Sequence, residues 1–415
     1  MPGTRTTYDA LLKDYYEDPI RETLNNEIFL FSKLEKSDRE WSGRRVIFPV
    51  HVGRAAGAIG ARAEGGTLPS ASNQNHTQSV ITATFQYATL EITGPVMAST
   101  KHAFGEALAM ELDGLMTDFR KDLARQTYGE GRGILAQVGI SAASASTIQV
   151  LNQNFEPGQP GARYLQVGDR IEGGSITDGD ADFGDNQVIN VALATALSSQ
   201  TDTITVSSTV TITSSEGFLF REGNSLLEIV GLRGHIDDFA VSNLWGATGF
   251  LSAVQTISRS ANLNWNATVL GNSGTARLMD GNLVQQAMDQ IAIKSGKKPA
   301  FGVGHHDVLR AFLDSVAGDR RYTSPVFDVG MSKLTYNGTD LYADLEAPYN
   351  ELFLLSDGTV KLYTMKDFHF ADDDGAVLRN IQVTDQFRAF IRWFGQLGLE
   401  NPRGACVIRD IRTNL

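Results

Sequence analysis

Apolar positions along this 415-residue chain fall into runs of two different periods. Four runs follow the helical spacing of three and four. Tyr8, Leu11, Leu12, Tyr15 and Tyr16 begin the first, and Ile20, Leu24, Ile28 and Phe31 resume it beyond Pro19. They predict an amphipathic arm over residues 6–36, with no link to a later core. Phe104, Leu108, Leu112, Leu115, Phe119 and Leu123 predict one helix from Ser99 or Thr100, as cap, to the stop at Gly129. About 28 residues at ~1.5 Å each give a rod of roughly 42 Å. Leu283, Val284, Ala287, Met288 and Ile291 form a third face, and Val308, Leu309, Phe312, Leu313 and Val316 a fourth, ended by Gly318.

Elsewhere the period drops to two. Val46, Phe48, Val50 and Val52 alternate as one face of a strand. A loop rich in Gly, Ala, Ser and Asn follows over residues 53–76. Residues 77–93 then hold no Gly or Pro and are rich in Thr, Val, Ile, Phe and Tyr. At ~3.3 Å per residue this return strand would reach roughly 55 Å. Both its faces mix apolar and polar groups, so the hairpin is expected to lie on another chain. From about 145 to 232 short strands alternate with turns, at residues 147–150, 164–167, 188–191 and 203–206. That stretch reads as a small all-β insertion. Strands return at 341–343, 352–355, 360–363, 387–394 and 405–408.

Composition narrows the function. A hydrophobic fraction of 42% with 20% charged residues is globular and excludes wholesale disorder. The formal charge of −12 argues against tight, charge-driven nucleic-acid binding. Against that background residues 33–62 stand out, with seven bases (Lys33, Lys36, Arg39, Arg44, Arg45, Arg54, Arg62) and three acids. This local excess suits docking onto acidic faces of identical neighbours, such as Glu106, Glu111, Asp113 and Asp118. A single cysteine, Cys406, excludes an internal disulfide framework and reads as inert core. There is no apolar run of ~20 residues and no signal-peptide core at the start, so a cytoplasm-like site of synthesis is expected.

No motif assembles a catalytic, cofactor or metal site. His305-His306-Asp307 is the most suggestive cluster, but adjacent helical residues diverge by ~100°, and a helix start with Asp at the positive dipole end fits better. Asp178, Asp180, Asp182 and Asp185 resemble a calcium loop, yet Phe183 and Ile189 stand where an EF-hand needs Gly and Glu. Asp372-Asp373-Asp374-Gly375 reads as an exposed turn. Gly129-Glu130-Gly131-Arg132-Gly133 follows a helix, whereas a phosphate loop opens one. Ser295-Gly296-Lys297-Lys298 lacks the residues that flank a phosphate loop, and no Gly-x-Ser-x-Gly elbow occurs. The chain is therefore expected not to be an enzyme.

The order of elements is distinctive: arm, long ribbon, long helix, β-insertion, two-helix α/β part and returning strands. It resembles the major capsid proteins of tailed bacteriophages, with the Hong Kong 97-like α+β fold, over nearly the whole chain. The resemblance rests on several stretches: Lys298-Pro299-Ala300-Phe301-Gly302-Val303, Gly338-Thr339-Asp340-Leu341-Tyr342-Ala343-Asp344, Asn350-Glu351-Leu352-Phe353-Leu354-Leu355, Thr359-Val360-Lys361-Leu362-Tyr363 and residues 386–399. Trp265-Asn266-Ala267-Thr268-Val269, near Arg259-Ser260-Ala261, is similar too. The implied division is an N-terminal arm (1–43), an extended β-hairpin loop (44–96), and a spine helix with the start of a peripheral domain (97–144). Then follow the all-β insertion (145–232), an axial domain with connecting strands (233–365), and strands returning to the peripheral domain (366–415).

The resemblance implies an icosahedral virion shell around double-stranded DNA, built from hexamers and pentamers of this chain. Expected partners are a separate scaffolding protein, a portal and a decoration protein, with DNA contacted weakly and no membrane. The arm starts near Met1, which favours separate scaffolding over a removed leader. No Lys occurs between Lys36 and Lys101, so a Lys–Asn cross-link through the ribbon is not expected. The alternative with the same fold is an encapsulin-like shell around a protein cargo.

Overall fold

A computed structural model describes residues 28–55, 58–94, 101–152, 161–175, 183–193, 202–213, 217–239, 251–317, 333–372, 375–380 and 385–412, the side chains of 101–110, 152, 316, 317 and 333 excepted. The arm residues 6–27, the caps Ser99 and Thr100, and Asp178, Asp180, Asp182, Asp373 and Asp374 lie outside them. The chain divides into two compact units. One comprises Met1–Val46, Ile81–Thr127 and Val360–Gly398; the other comprises Ile47–Val80, Tyr128–Thr359 and Leu399–Leu415.

The first unit is a five-stranded sheet carrying the long helix Lys101–Tyr128 up to Thr127. Its central strand, Gln386–Leu399, pairs antiparallel with Thr84–Thr93, from Gln386 opposite Thr93 to Gly395 opposite Thr84. This corrects the long ribbon expected from sequence. The return strand breaks at Ala83, and Thr84–Thr93 belongs to the sheet. The reason is its alternation: Gln86, Ala88, Leu90 and Ile92 are buried and their neighbours are not. The arm expectation changes as well. Helix Phe29–Lys33 buries Leu30 and Phe31, residues Glu35–Lys36 pair parallel with Lys361 and Leu362, and Phe31 stacks on Trp393 at 5.6 Å. Ile28, Leu30, Phe31 and Leu34 are buried while Ser32, Lys33, Glu35 and Lys36 stay exposed, so this end of the arm packs its apolar side into the core. On the long helix Leu112, Phe119 and Leu123 are buried, but Leu115 is only half-buried.

The second unit contains a closed six-stranded barrel of Ile134–Ile140, Ala142–Asn152, Arg170–Gly174, Phe183–Ala192, Asp202–Ile212 and Phe218–Arg221. Its interior is filled by aliphatic side chains including Leu135, Ile148, Val150, Ile171, Val188, Ile204, Val206 and Leu219. Residues 164–167, expected as a strand, form a turn instead. Asp169 Oδ2 accepts the Gln166 amide at 2.7 Å, a local bond that competes with pairing. The strand starts three residues beyond that stretch, at Arg170–Gly174. Ile134–Ile140 and Phe218–Arg221, which the turn spacing did not reveal, close the barrel.

The same unit holds a six-stranded mixed sheet whose inner strands are Ala405–Ile408, Leu352–Leu355, Phe301–Gly304 and Thr339–Ala343. Helices Gly281–Ser295 and His306–Ala317 bury Leu283, Val284, Ile291, Val308 and Phe312 with Leu352, Leu354 and Cys406. Asp280 caps the first of these, accepting from Leu283 N at 2.8 Å.

Candidate assembly ribbon and its buried ionic frame

Arg45–Gly53 and Asn75–Thr82 form a two-stranded ribbon. Val46, Phe48, Val52, Ser79 and Ile81 are buried, while Ile47 on the other face is exposed. The stem is held by polar contacts at its root. Asn264 Nδ2 donates to Val52 O at 2.7 Å, Val80 N to Gln255 O at 3.0 Å, and His51 Nε2 lies 2.7 Å from Gln74 Oε1. Beyond the stem the backbone carries no described strand or helix from Arg54 to Gln74. At its tip Ile59 and Leu68 are 87% and 81% exposed.

Beside the ribbon root lies a groove of about 530 Å³ whose lining includes His51, Arg54, Lys294, Arg403 and Glu400. Bases dominate it. On the long helix, the acidic positions Glu111, Asp113 and Asp118 are exposed; the Glu106 side chain lies outside those described.

A buried ionic frame supports the second unit. Glu351 receives Arg233 Nε at 2.9 Å and faces Arg409 Nε at 3.3 Å, and Arg409 Nη1 donates to Asp237 at 3.2 Å. Arg259, fully buried, donates to the carbonyls of Asp237, Gly234 (2.7 Å) and His235 (3.0 Å), which ties down the end of the turn 232–235. Burial lowers its guanidinium to about 10. None of these charged partners is close to another in sequence, apart from Arg233, His235 and Asp237. Only their burial reveals the set.

The residues singled out by sequence do not converge. His305 Nδ1 accepts the Asp307 amide at 3.2 Å, and its ring lies 3.9 Å from that of Tyr349. It is a capping residue of the helix that follows. Burial pushes the imidazole down to about 4, with Asp307 opposing the shift. Asp307 pairs with Arg310, and His306 is exposed. Asp185 pairs with Arg170 on the barrel surface, and Asp372 O accepts the Gly375 amide in a turn. Gly296 closes helix Gly281–Ser295 at its C-terminal end. Cys406 is buried in its strand, and desolvation pushes its thiol up to about 12, where it is protonated and unreactive. Among the described residues no group of His, Cys, Asp and Glu could hold a metal ion, and no helix is long and apolar enough to cross a membrane.

No family model and no curated protein matches the sequence. Among solved structures the chain is similar to the capsid asymmetric unit of cyanophage A-1(L), at 12% identity, covering 91% of this chain and 90% of that chain with a TM-score of 0.51. It is also similar to the capsid of a native GTA particle, at 8% identity, 93% and 90% coverage and a TM-score of 0.49. The encapsulin of the holo-SrpI complex from Synechococcus elongatus PCC 7942 matches at 8% identity, 94% and 90% coverage and a TM-score of 0.44. The cyanophage likeness shows the fold alone: the chain is a mixed α+β protein folded like that capsid chain.

Proposed function

We propose that this chain is a major capsid protein, self-assembling as hexamers and pentamers into the icosahedral head shell of a tailed bacteriophage around double-stranded DNA. The observation that carries the reading is the ribbon tip, with Ile59 and Leu68 held in water on a chain of this fold. Such a tip gains its stability only by lying on a neighbour. The base-rich stretch 33–62 and the groove beside the ribbon root supply positive charge, and Glu111, Asp113 and Asp118 of an adjacent copy supply the opposite sign.

In this reading the long helix is the spine of a peripheral domain, the mixed sheet with its two helices is the axial domain, and the barrel is the insertion. The chain resides in the virion and is made in the host cytoplasm. It works with a separate scaffolding protein, a portal and a decoration protein, and its acidic balance keeps contact with DNA weak. Its role is structural and not enzymatic.

Electron microscopy of the purified full-length chain, alone and co-expressed with scaffolding, tests this. Closed icosahedral shells are expected. Monomers or open aggregates under both conditions would overturn the proposal, and shells that co-purify with a dedicated enzyme cargo would transfer it to an encapsulin-like compartment.

A further inference from the structure

Where the long helix ends, the chain passes through Gly129-Glu130-Gly131-Arg132-Gly133 on its way into the barrel. Gly131 and Gly133 sit at φ +84° and +83°, a backbone that glycine alone adopts freely. A Cβ on Gly131 would stand 2.8 Å from Val230 Cγ2, so the segment lies tight against residues 224–234. Two backbone bonds fasten it there, Leu226 N to Arg132 O at 3.1 Å and Gly234 N to Gly129 O at 3.4 Å.

Glu130 sits in the middle of this contact, 7% exposed, and neither of its carboxyl oxygens has a hydrogen-bond partner among the described residues. Arg132 Nη1 approaches one of them only to 3.7 Å. The other charged groups facing it are Arg233 from the turn 232–235, Asp237 just beyond, and Arg409 from the end of the strand Ala405–Ile408. Two of these cations are already engaged: Arg233 with Glu351, and Arg409 with Glu351 and Asp237. His235 is the nearby titratable ring on the turn, Arg259 binds the carbonyls of Gly234 and His235, and Glu228 lies against Gly133 while bonding Asn224. A carboxylate buried without a donor is costly as an anion and cheap as a neutral acid.

We propose that Glu130 is a protonation latch on this segment. As a neutral acid it packs closed against residues 224–234, and on ionising it forces residues 129–133 out of that packing toward water. The latch is a property of this chain alone and stands whether or not the chain builds a phage head. Burial pushes the carboxyl from 4.5 to about 7, against the pull of Arg132 and Arg233, so the change falls in the neutral range. The sign follows from a folded value above the unfolded one. The closed form carries no penalty below pH 4.5, loses stability as pH rises toward 7, and carries the whole penalty above it.

The test compares the full-length chain with its Glu130→Gln variant, a neutral isostere. Melting temperatures should coincide near pH 4.5 and diverge up to pH 7, with the variant melting several degrees higher at pH 8. Hydrogen-exchange protection factors, corrected for intrinsic rates, should fall about tenfold between pH 6 and pH 8 at residues 129–133 and 224–234 of the wild type, and stay level in the variant. Parallel melting curves would overturn the latch, as would unchanged protection in the wild type. If the variant does not fold, the wild-type exchange series decides by itself: loss confined to those two stretches supports the latch, and its absence refutes it.

Discussion

Phe119 of the long helix meets Phe368 of the sheet edge to face, with ring centroids 5.6 Å apart and planes at 87°. Both rings are buried. One turn earlier Leu115 is only partly covered, so the apolar row of this helix is unequal along its length. Phe119→Ala should therefore cost about 3–5 kcal/mol. Leu115→Ala should fall well below the ~2 kcal/mol floor of fully buried leucines. Denaturant midpoints of the two variants measure the difference, and equal losses would contradict the burial pattern.

Gly114 lies mid-helix on the exposed side, and a Cβ there would have no neighbour within 4 Å. Glycine in a helix interior costs about 1 kcal/mol relative to alanine. Gly114→Ala should raise the stability of the isolated chain by up to that amount. A drop in melting temperature would mean that this position has a neighbour or a bend that the single chain does not display.

Ile59→Asp combined with Leu68→Asp should leave the melting temperature of the unassembled protein unchanged, since neither side chain touches a core. The same pair of changes should abolish shells, as seen by electron microscopy and by sedimentation. Normal particles from this variant would separate the ribbon tip from assembly.

Glu351 holds two arginines, Arg233 and Arg409, inside the protein. Removing one partner of a buried ionic set leaves uncompensated charge, at a cost of about 3–5 kcal/mol. Glu351→Ala should lose that much in chemical denaturation. Substituting Glu351, Arg233 and Arg409 together with apolar residues should recover most of it.

The ribbon from Arg45 to Thr82 contains no lysine. Boiling mature particles in detergent should release one band near 45.1 kDa. A ladder of covalent oligomers would require a different nucleophile.

What sequence made legible was set by period. The 3-and-4 spacing of Leu112, Phe119 and Leu123 and of Val284, Ala287 and Ile291 marked their helices, and the apolar run Leu352-Phe353-Leu354-Leu355 marked an inner strand. Residues 77–93 misled because two strands with different partners abut at Ala83 without a Gly or Pro between them, so no punctuation showed the change. The strand Phe218–Arg221 has only four residues, too few to display a period, and only closure of the barrel identifies it. The ionic frame was invisible for another reason. Asp237, Arg259, Glu351 and Arg409 are scattered along the sequence, and a lone charged residue there reads as a solvated one.

The six-stranded barrel is closed on itself, whereas the ribbon is bonded at its root, at Val80 and Val52, and has no third strand along its margins among the described residues. An open margin is a template: any extended segment that drifts alongside finds a row of donors and acceptors at the right pitch. In the proposed shell, where copies meet at great local density, such templates on every part of the surface would risk fibres. By rolling the strands between Ile134 and Arg221 into a ring, the chain makes a large β-rich body that offers nothing to copy.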